Sequence, residues 1–193
     1  TFKTDEYVLR KIKERFKISG QYLIVNPNAS DLRIERRWPK EKFSELTGKL
    51  VDLLPEFKIV LIGSPAESEF VNEVWYGINE SVKGNVIDTS GRLSIEELIS
   101  LIRGTELMIT NDTGPMHLAF AAHRPTIALF GPASPIQFGN HSAVTAIYKK
   151  VACSPCVHDH IKPPCKGDNI CMKQIEVDEV FEAIDKKISS FQI

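Results

Sequence analysis

The sequence predicts an α/β domain built on a doubly wound, Rossmann-like parallel sheet with helices on both faces. Short, nearly continuous apolar runs alternate along the chain with longer stretches whose apolar residues recur at helical spacing. Because the short runs do not alternate between apolar and polar residues, they are typical of strands buried on both faces. The 193 residues are enough for one well-cored domain.

Six apolar runs are predicted as strands. The first is Tyr-Leu-Ile-Val at 22–25, which ends at a turn-forming Asn-Pro-Asn sequence. The others are found at 58–62, 86–87, 107–109, 126–130 and 144–148.

Helices are predicted between the strands from the 3.6-residue spacing of their apolar residues. Their expected ranges are 5–16, 40–54, 67–78, 116–122 and 177–188. One more helix follows Ser94, because Ser94 and Glu97 form a capping-box pattern. We expect residues 1–20 to be a linker from a preceding domain and residues 21–193 to form the domain itself.

The composition excludes several classes of protein. The formal net charge is −1, so no overall positive field draws the chain to nucleic acid or to anionic lipid. No stretch reaches the roughly 18 consecutive apolar residues of a membrane helix. The first residues have no signal-peptide pattern and no initiating Met, so we expect a piece of a longer cytoplasmic protein.

The first candidate site follows the fourth strand, since ligands of such sheets bind beyond the carboxyl ends of the strands. Residues 112–117 read Asp-Thr-Gly-Pro-Met-His. Asp112 or Thr113 can cap the next helix, Gly114 lets a ligand approach the backbone, and free helix N–H groups favour a pyrophosphate. A helix start with routine caps, and a His117 satisfied by a carbonyl, explains the same residues.

Two further candidates follow the first and second strands. Ser30 precedes Arg36 and Arg37, whose fixed positive charges suit phosphate oxygens. The alternative is a solvated basic loop that Trp38 holds to the core. Glu67 can accept hydrogen bonds from ribose hydroxyls, or can be a first-turn carboxylate favoured by the helix dipole.

Other nucleotide-binding and catalytic motifs are missing from the sequence. No Gly-x-Gly-x-x-Gly follows the first strand, and there is no phosphate-binding P-loop, no serine elbow and no His-Glu-x-x-His. The residues by themselves therefore predict a protein that binds a phosphorylated nucleotide.

The cysteines are concentrated in a Cys/Pro-rich loop at 152–171. A Cys-x-x-Cys pair with two further thiols predicts a structural zinc site, with His158 and His160 nearby as spare ligands. Reduced or disulfide-linked thiols are the alternative. The four predicted ligands are Cys153, Cys156, Cys165 and Cys171.

Residues 112–117 resemble the Asp-Thr/Ser-Gly-x-x-His signature of the lipopolysaccharide heptosyltransferases, glycosyltransferase family nine. The Arg-Arg-Trp-Pro sequence at 36–39, the helix start at Leu93 and Ser94, and residues 129–135 resemble the same family in the expected order. The resemblance covers the chain from about Tyr22 to its end. It implies the GT-B architecture of two facing doubly wound domains, of which this chain resembles the C-terminal, donor-binding half.

The resemblance also implies roles for individual residues. Arg36 would neutralise the leaving diphosphate, at a position where family members often carry Lys, and Asp112 would approach the sugar. Glu67 would hold the ribose and Leu93 would lie beside the adenine. The residues implied to bind the donor are Ser30, Arg37, Glu67, Leu93, Thr113, Gly114, Met116 and His117.

The implied reaction is transfer of heptose from an ADP-heptose-type donor to a lipid-linked lipopolysaccharide core acceptor, with inversion and without a metal. The general base and the acceptor site would lie on the N-terminal domain, so this chain alone would catalyse little. The implied location is the cytoplasm, with at most peripheral contact at the inner membrane. The alternatives are a GT-B enzyme that uses another nucleotide sugar, such as an epimerase, and a zinc-ribbon interaction module, which the net charge disfavours.

Overall fold

Six parallel strands form one sheet in the computed structural model of the chain. They are β1 (Tyr22–Asn26), β2 (Lys58–Leu61), β3 (Val86–Asp88), β4 (Leu107–Asn111), β5 (Thr126–Phe130) and β6 (Val144–Tyr148). Their order across the sheet is β3-β2-β1-β4-β5-β6, which confirms the predicted doubly wound α/β fold. The structure describes residues 6–29, 31–137, 143–157 and 163–190.

Helices of the described residues cover both faces of this sheet. They are α1 (Glu6–Phe16), α2 (Lys40–Leu53), α3 (Ser68–Gly77), α4 (Ile95–Gly104), α5 (Gly114–Ala121), α6 (Ile170–Lys173) and α7 (Val177–Ser189). Shorter 3-10 turns are found at Asp31–Arg36, Pro65–Glu67, Glu80–Asn85 and Pro135–Gln137. None of the described helices has the length and apolarity that crossing a membrane requires.

Alternate residues of each strand face opposite sides of the sheet, and both sides are buried. On β1, Leu23 and Val25 belong to the core shared with α2, α3 and α7. Tyr22 and Ile24 belong to the second core, which includes residues of α1 and α4. This double burial explains why the strands appear in the sequence as continuous apolar runs.

The strand order reverses between β1 and β4. From β1 the chain proceeds outward to β2 and β3, and it then returns to place β4 on the other side of β1. The parallel register pairs Val25 with Ile109 and Asn26 with Thr110, so the two strands end side by side. In open α/β sheets, ligands bind outside the carboxyl ends of the strands at this switch point.

The first helix is packed into the same hydrophobic core as the sheet. Ile12 of α1 is 1% exposed and lies in the second core. Arg15 of α1 also forms an ion pair with Glu97 of α4 at 3.0 Å. The division between residues 1–20 and 21–193 stays a prediction.

The structure differs from the predicted elements mainly in short segments. β5 and β6 have the predicted bounds, whereas β4 continues to Asn111 and α5 begins earlier, at Gly114. The four 3-10 turns and α6 were not predicted. At four residues, α6 is too short to show a 3.6-residue period.

Candidate nucleotide-binding site

A cleft of about 260 Å³ lies at the carboxyl edge of the sheet, beside the switch point. Its walls come from the ends of β1 and β2 and from the starts of α4 and α5. The polar wall residues are Asn26, Ser64, Glu67, Ser94 and Thr113. The apolar wall residues are Ile62, Pro65, Leu93, Ile95, Leu98 and Pro115. The fold thus brings together three of the predicted site residues, which are far apart in the sequence: Glu67, Leu93 and Thr113.

The start of α5 forms one wall of the cleft. Thr113 is the N-cap residue, but its side chain makes no capping hydrogen bond, and Pro115 lies in the first turn. A Cβ added to Gly114 would meet no atom within 4 Å, so the backbone there is open. His117 is exposed on the first turn, and its ring contacts Phe120 edge-on at 5.9 Å between centroids.

Met116 lies on the other side of the same helix. Its side chain is fully buried in a cluster with Phe130 and Ala133, and its N–H donates to the Thr113 carbonyl at 3.0 Å. These contacts anchor α5 to the sheet. The predicted contact between Met116 and a donor stays a prediction.

The two predicted catalytic residues, Arg36 and Asp112, lie next to each other. Arg36 Nη1 is 3.4 Å from Asp112 Oδ2, with the Asp112 side chain 7% exposed. Charge-assisted N–H···O bonds are commonly 2.7–2.9 Å long, so this ion pair is loose. Arg36 Nε is buried and has no hydrogen-bond partner among the described residues, which leaves a donor at this edge of the sheet without an acceptor from that part of the chain.

The neighbouring Arg37 has a different environment. Its Nε and Nη2 donate to the Ala29 carbonyl at 2.9 and 2.7 Å, and its guanidinium lies 4.7 Å from the centre of the Phe70 ring. Arg37, like Arg36 and Asp112, is not among the residues that line the cleft. Its predicted role in donor binding stays a prediction, as does that of Ser30, which lies outside the described residues.

Glu67 lines the cleft and also closes its own helical turn. Its Oε2 accepts hydrogen bonds from the backbone N–H of Ser64 at 2.9 Å and from the Ser64 hydroxyl at 2.8 Å. These bonds fix the carboxylate at the cleft wall. The first-turn and ribose-binding interpretations of Glu67 are therefore compatible with one position.

A buried network of amide side chains holds the loops at this edge together. Asn26 donates to the Thr110 hydroxyl at 2.9 Å, which joins the ends of β1 and β4. Asn28 donates to the Ile62 carbonyl at 2.7 Å. Asn111 donates to the carbonyl of Pro27 at 2.8 Å, so three loops are connected through side-chain amides. Asn28 Oδ1 is buried and has no hydrogen-bond partner among the described residues, so the pairing of this network is incomplete at that one acceptor.

Sequence reasoning did not single out these amides or several of the cleft walls. The Asn-Pro-Asn sequence predicts only a turn for Asn26 and Asn28, and the pattern at 112–117 does not include Asn111, which directly precedes Asp112. Ile95, which is 66% exposed at the cleft, was also missed. The signal that could have identified Ile95 is its place in the sequence: it is an apolar residue on the polar side of the α4 start.

The four cysteines are free thiols. Within the described part of the chain, no three or more His, Cys, Asp or Glu side chains are grouped so as to hold a metal ion. Burial raises the pKa of Cys171 to about 11 and also raises the pKa of Cys156. A raised pKa leaves less of the nucleophilic thiolate at neutral pH. The zinc site stays a prediction, and His158 and His160 lie outside the described residues.

Comparisons with known proteins agree with this architecture. The family model described as glycosyltransferase family 9 (heptosyltransferase) matches residues 2–165. Lipooligosaccharide heptosyltransferase 2 of Campylobacter jejuni subsp. jejuni serotype O:6 is 31% identical over 185 residues, which cover 93% of this chain and 54% of that protein. Lipopolysaccharide heptosyltransferase 2 of Escherichia coli K12 is 34% identical over 100 residues, or 52% of this chain and 28% of that protein.

Solved structures share the fold. The E. coli ADP-heptose lps heptosyltransferase II has a TM-score of 0.83 at 23% identity and covers 100% of this chain and 54% of that one. E. coli heptosyltransferase WaaC with ADP has a TM-score of 0.66 at 22% identity, over 91% and 48%. The chain thus spans about half the length of these proteins, or less. Its sequence and fold together show that it belongs to glycosyltransferase family 9, the heptosyltransferases.

Proposed function

We propose that the cleft binds the ADP part of an ADP-heptose-type donor, from which heptose is transferred to a lipid-linked lipopolysaccharide core acceptor. The observation that carries the proposal is the position of the cleft: it lies at the switch point of a family 9 fold, lined by Glu67, Leu93 and Thr113. Pockets for small ligands commonly measure about 300–1,000 Å³, and the cleft, at about 260 Å³, is slightly smaller than that. On this proposal it holds only the nucleoside, and the diphosphate and sugar lie beyond it.

The apolar wall suits the nucleobase. Leu93, Ile95 and Leu98 present aliphatic surface at one side of the cleft, and a flat base would cover the exposed Ile95. Glu67 lines the same cleft, and its carboxylate is an acceptor suited to ribose hydroxyls.

The start of α5 and Arg36 suit the diphosphate. Unpaired N–H groups at a helix start attract anions, and the backbone at Gly114 is open to a ligand. The buried Arg36 Nε needs an acceptor, and a phosphate oxygen would supply one. Because the bond from Arg36 to Asp112 is loose, Arg36 can serve the phosphate while Asp112 faces the sugar.

The catalytic contribution of this chain is electrostatic on this proposal. Helix N–H groups and Arg36 would stabilise the negative charge that develops on the departing diphosphate, with inversion at the sugar. The general base and the acceptor site belong to the other domain of the GT-B architecture, so this chain by itself is expected to bind donor weakly and to catalyse little. The enzyme would work in the cytoplasm, with at most peripheral contact with the inner membrane that presents the acceptor.

Calorimetric titration of the chain with ADP, UDP and GDP tests the donor. We expect ADP to bind most tightly, and we expect His117→Asn to weaken it by about tenfold, because the variant replaces the imidazole next to the diphosphate by a shorter side chain that reaches less far. His123→Asn, after the opposite end of α5, is the matched control and should leave binding unchanged. Preference for UDP or GDP would support a GT-B enzyme with another nucleotide sugar, and no binding of any nucleotide would contradict the proposal.

A further inference from the structure

The buried side chain of Asn111 joins the two chain segments that carry Arg36 and Asp112. Asn111 ends β4, directly before Asp112, and is 0% exposed. Its Nδ2 donates to the carbonyls of Pro27 at 2.8 Å and Asn28 at 3.2 Å. Its Oδ1 accepts the backbone N–H of Trp38 at 3.2 Å. One amide therefore bonds to the backbone of the β1 loop and to the backbone that follows the Arg36 turn.

Trp38, which donates its backbone N–H to Asn111, is itself held in place by burial and by further contacts. Its side chain is 0% exposed, its indole N–H donates to the Ile175 carbonyl at 3.0 Å, and its ring meets Phe43 edge-on at 4.9 Å. Arg36 lies only two residues before this anchor. The position of its backbone relative to Asp112 thus depends on the bond between Asn111 and Trp38.

The chemistry of the position requires an amide. Two carbonyl oxygens face the side chain on one side and one N–H faces it on the other, so the side chain must both donate and accept. Aspartate offers no donor when ionised, and an apolar residue of the same size would leave three buried backbone groups unpaired.

We propose that Asn111 is a positioning residue for the candidate site. It acts through Trp38 to hold Arg36 beside Asp112, in the arrangement in which no described residue supplies an acceptor to the Arg36 Nε. The inference rests on the proposed function, in which Arg36 contacts the donor diphosphate.

A double-mutant cycle on ADP affinity tests it. We expect Arg36→Ala to weaken ADP binding by about tenfold and Asn111→Ala by about fivefold. The double variant should bind like Arg36→Ala alone, because Asn111 acts only through Arg36 and the two effects then do not multiply. If Asn111→Ala does not fold, Asn111→Ser keeps a short uncharged polar side chain that cannot bond to both sides at once, and it should show the same absence of additivity.

Thr105→Val is the matched control. Thr105 is also fully buried, just before the amino end of the same strand, where its hydroxyl bonds to the Tyr22 carbonyl at 3.1 Å and the Leu107 carbonyl at 2.9 Å. Thr105→Val should lower Tm about as much as Asn111→Ala does, without changing ADP affinity. A double variant about fiftyfold weaker than wild type would overturn the role of Asn111 and leave the proposed function standing. An Arg36→Ala variant that binds ADP like wild type would instead contradict the diphosphate assignment itself.

Discussion

The two helix starts that border the cleft differ in how their first N–H groups are satisfied. At α4, the Ser94 hydroxyl accepts the Glu97 N–H at 3.2 Å, and Glu97 Oε2 accepts the Ser94 N–H at 2.8 Å, as the sequence predicts. At α5, Thr113 makes no side-chain cap, and Gly114 after it is exposed. Pro115 of α5 has no N–H and the Met116 N–H is bonded to the Thr113 carbonyl, so the exposed backbone at Gly114 is the place where an anion can approach this helix start. On our proposal, α4 serves the nucleobase and α5 the diphosphate.

Gly114→Asp should have the largest effect, because it closes the open start with a negative charge. A carboxylate at a helix start favours the helix by about 0.3–1 kcal/mol, but it would repel the donor diphosphate. We expect Tm to hold or rise while the Kd for ADP increases more than about tenfold, measured by calorimetry.

Gly84→Asp is the control for this substitution. A Cβ at Gly84 also meets no atom within 4 Å, and Gly84 is not among the residues that line the cleft. Its ADP affinity should equal that of the wild type. Tight ADP binding by Gly114→Asp would show that the diphosphate does not lie at α5.

Ser94→Ala removes the side-chain cap of α4. Its effect should be smaller than that of Gly114→Asp, and it should appear in the stability of the protein. Loss of an N-cap side chain costs about 1 kcal/mol, and we expect that decrease in the free energy of unfolding by urea denaturation. ADP affinity should change less than about threefold. A large loss of ADP affinity with an unchanged free energy of unfolding would mean that Ser94 binds the nucleotide and that the comparison of the two starts is wrong.

The smallest expected effect is on how the stability contributed by the capped start of α4 depends on pH. The backbone N–H of Ser94, and next the Arg15 side chain, hold the pKa of Glu97 below its ordinary value of 4.5. A carboxyl whose pKa is lowered by folding stabilises the protein above its ordinary pKa, and this contribution is lost as the pH falls through the folded pKa. Glu97→Gln should therefore lose less stability than wild type on acidification from about pH 5 to about pH 3. Parallel losses in urea titrations of the two proteins would show that Glu97 is not responsible.

Much of the fold was predictable because it depends on neighbours in the sequence. Leu23 and Ile24 are buried on opposite faces of the sheet, and this appears in the sequence as an unbroken apolar run. The cap of α4 appears in the sequence as a Ser and a Glu three residues apart. The helix at residues 170–173 could not be predicted, because a single turn is too short for the spacing of apolar residues to show a helical period.

The candidate site was predictable only as a set of residue types at the ends of strands. The two adjacent arginines have the same chemistry, yet Arg36 lies beside Asp112 and Arg37 binds the Ala29 carbonyl. Their different environments depend on which segments meet in three dimensions, and no local pattern records that.

The sequence by itself determined the strands, the longer helices and the family, since each of these depends on residues close together along the chain. The tertiary structure alone decided that β1 and β4 are neighbours, and hence that Glu67, Leu93 and Thr113 surround one cleft. It also gave Asn111 its bonds to two distant loops. The physical reason is that buried polar groups must find partners wherever the fold brings them, and those partners are set by packing at long range rather than by sequence order.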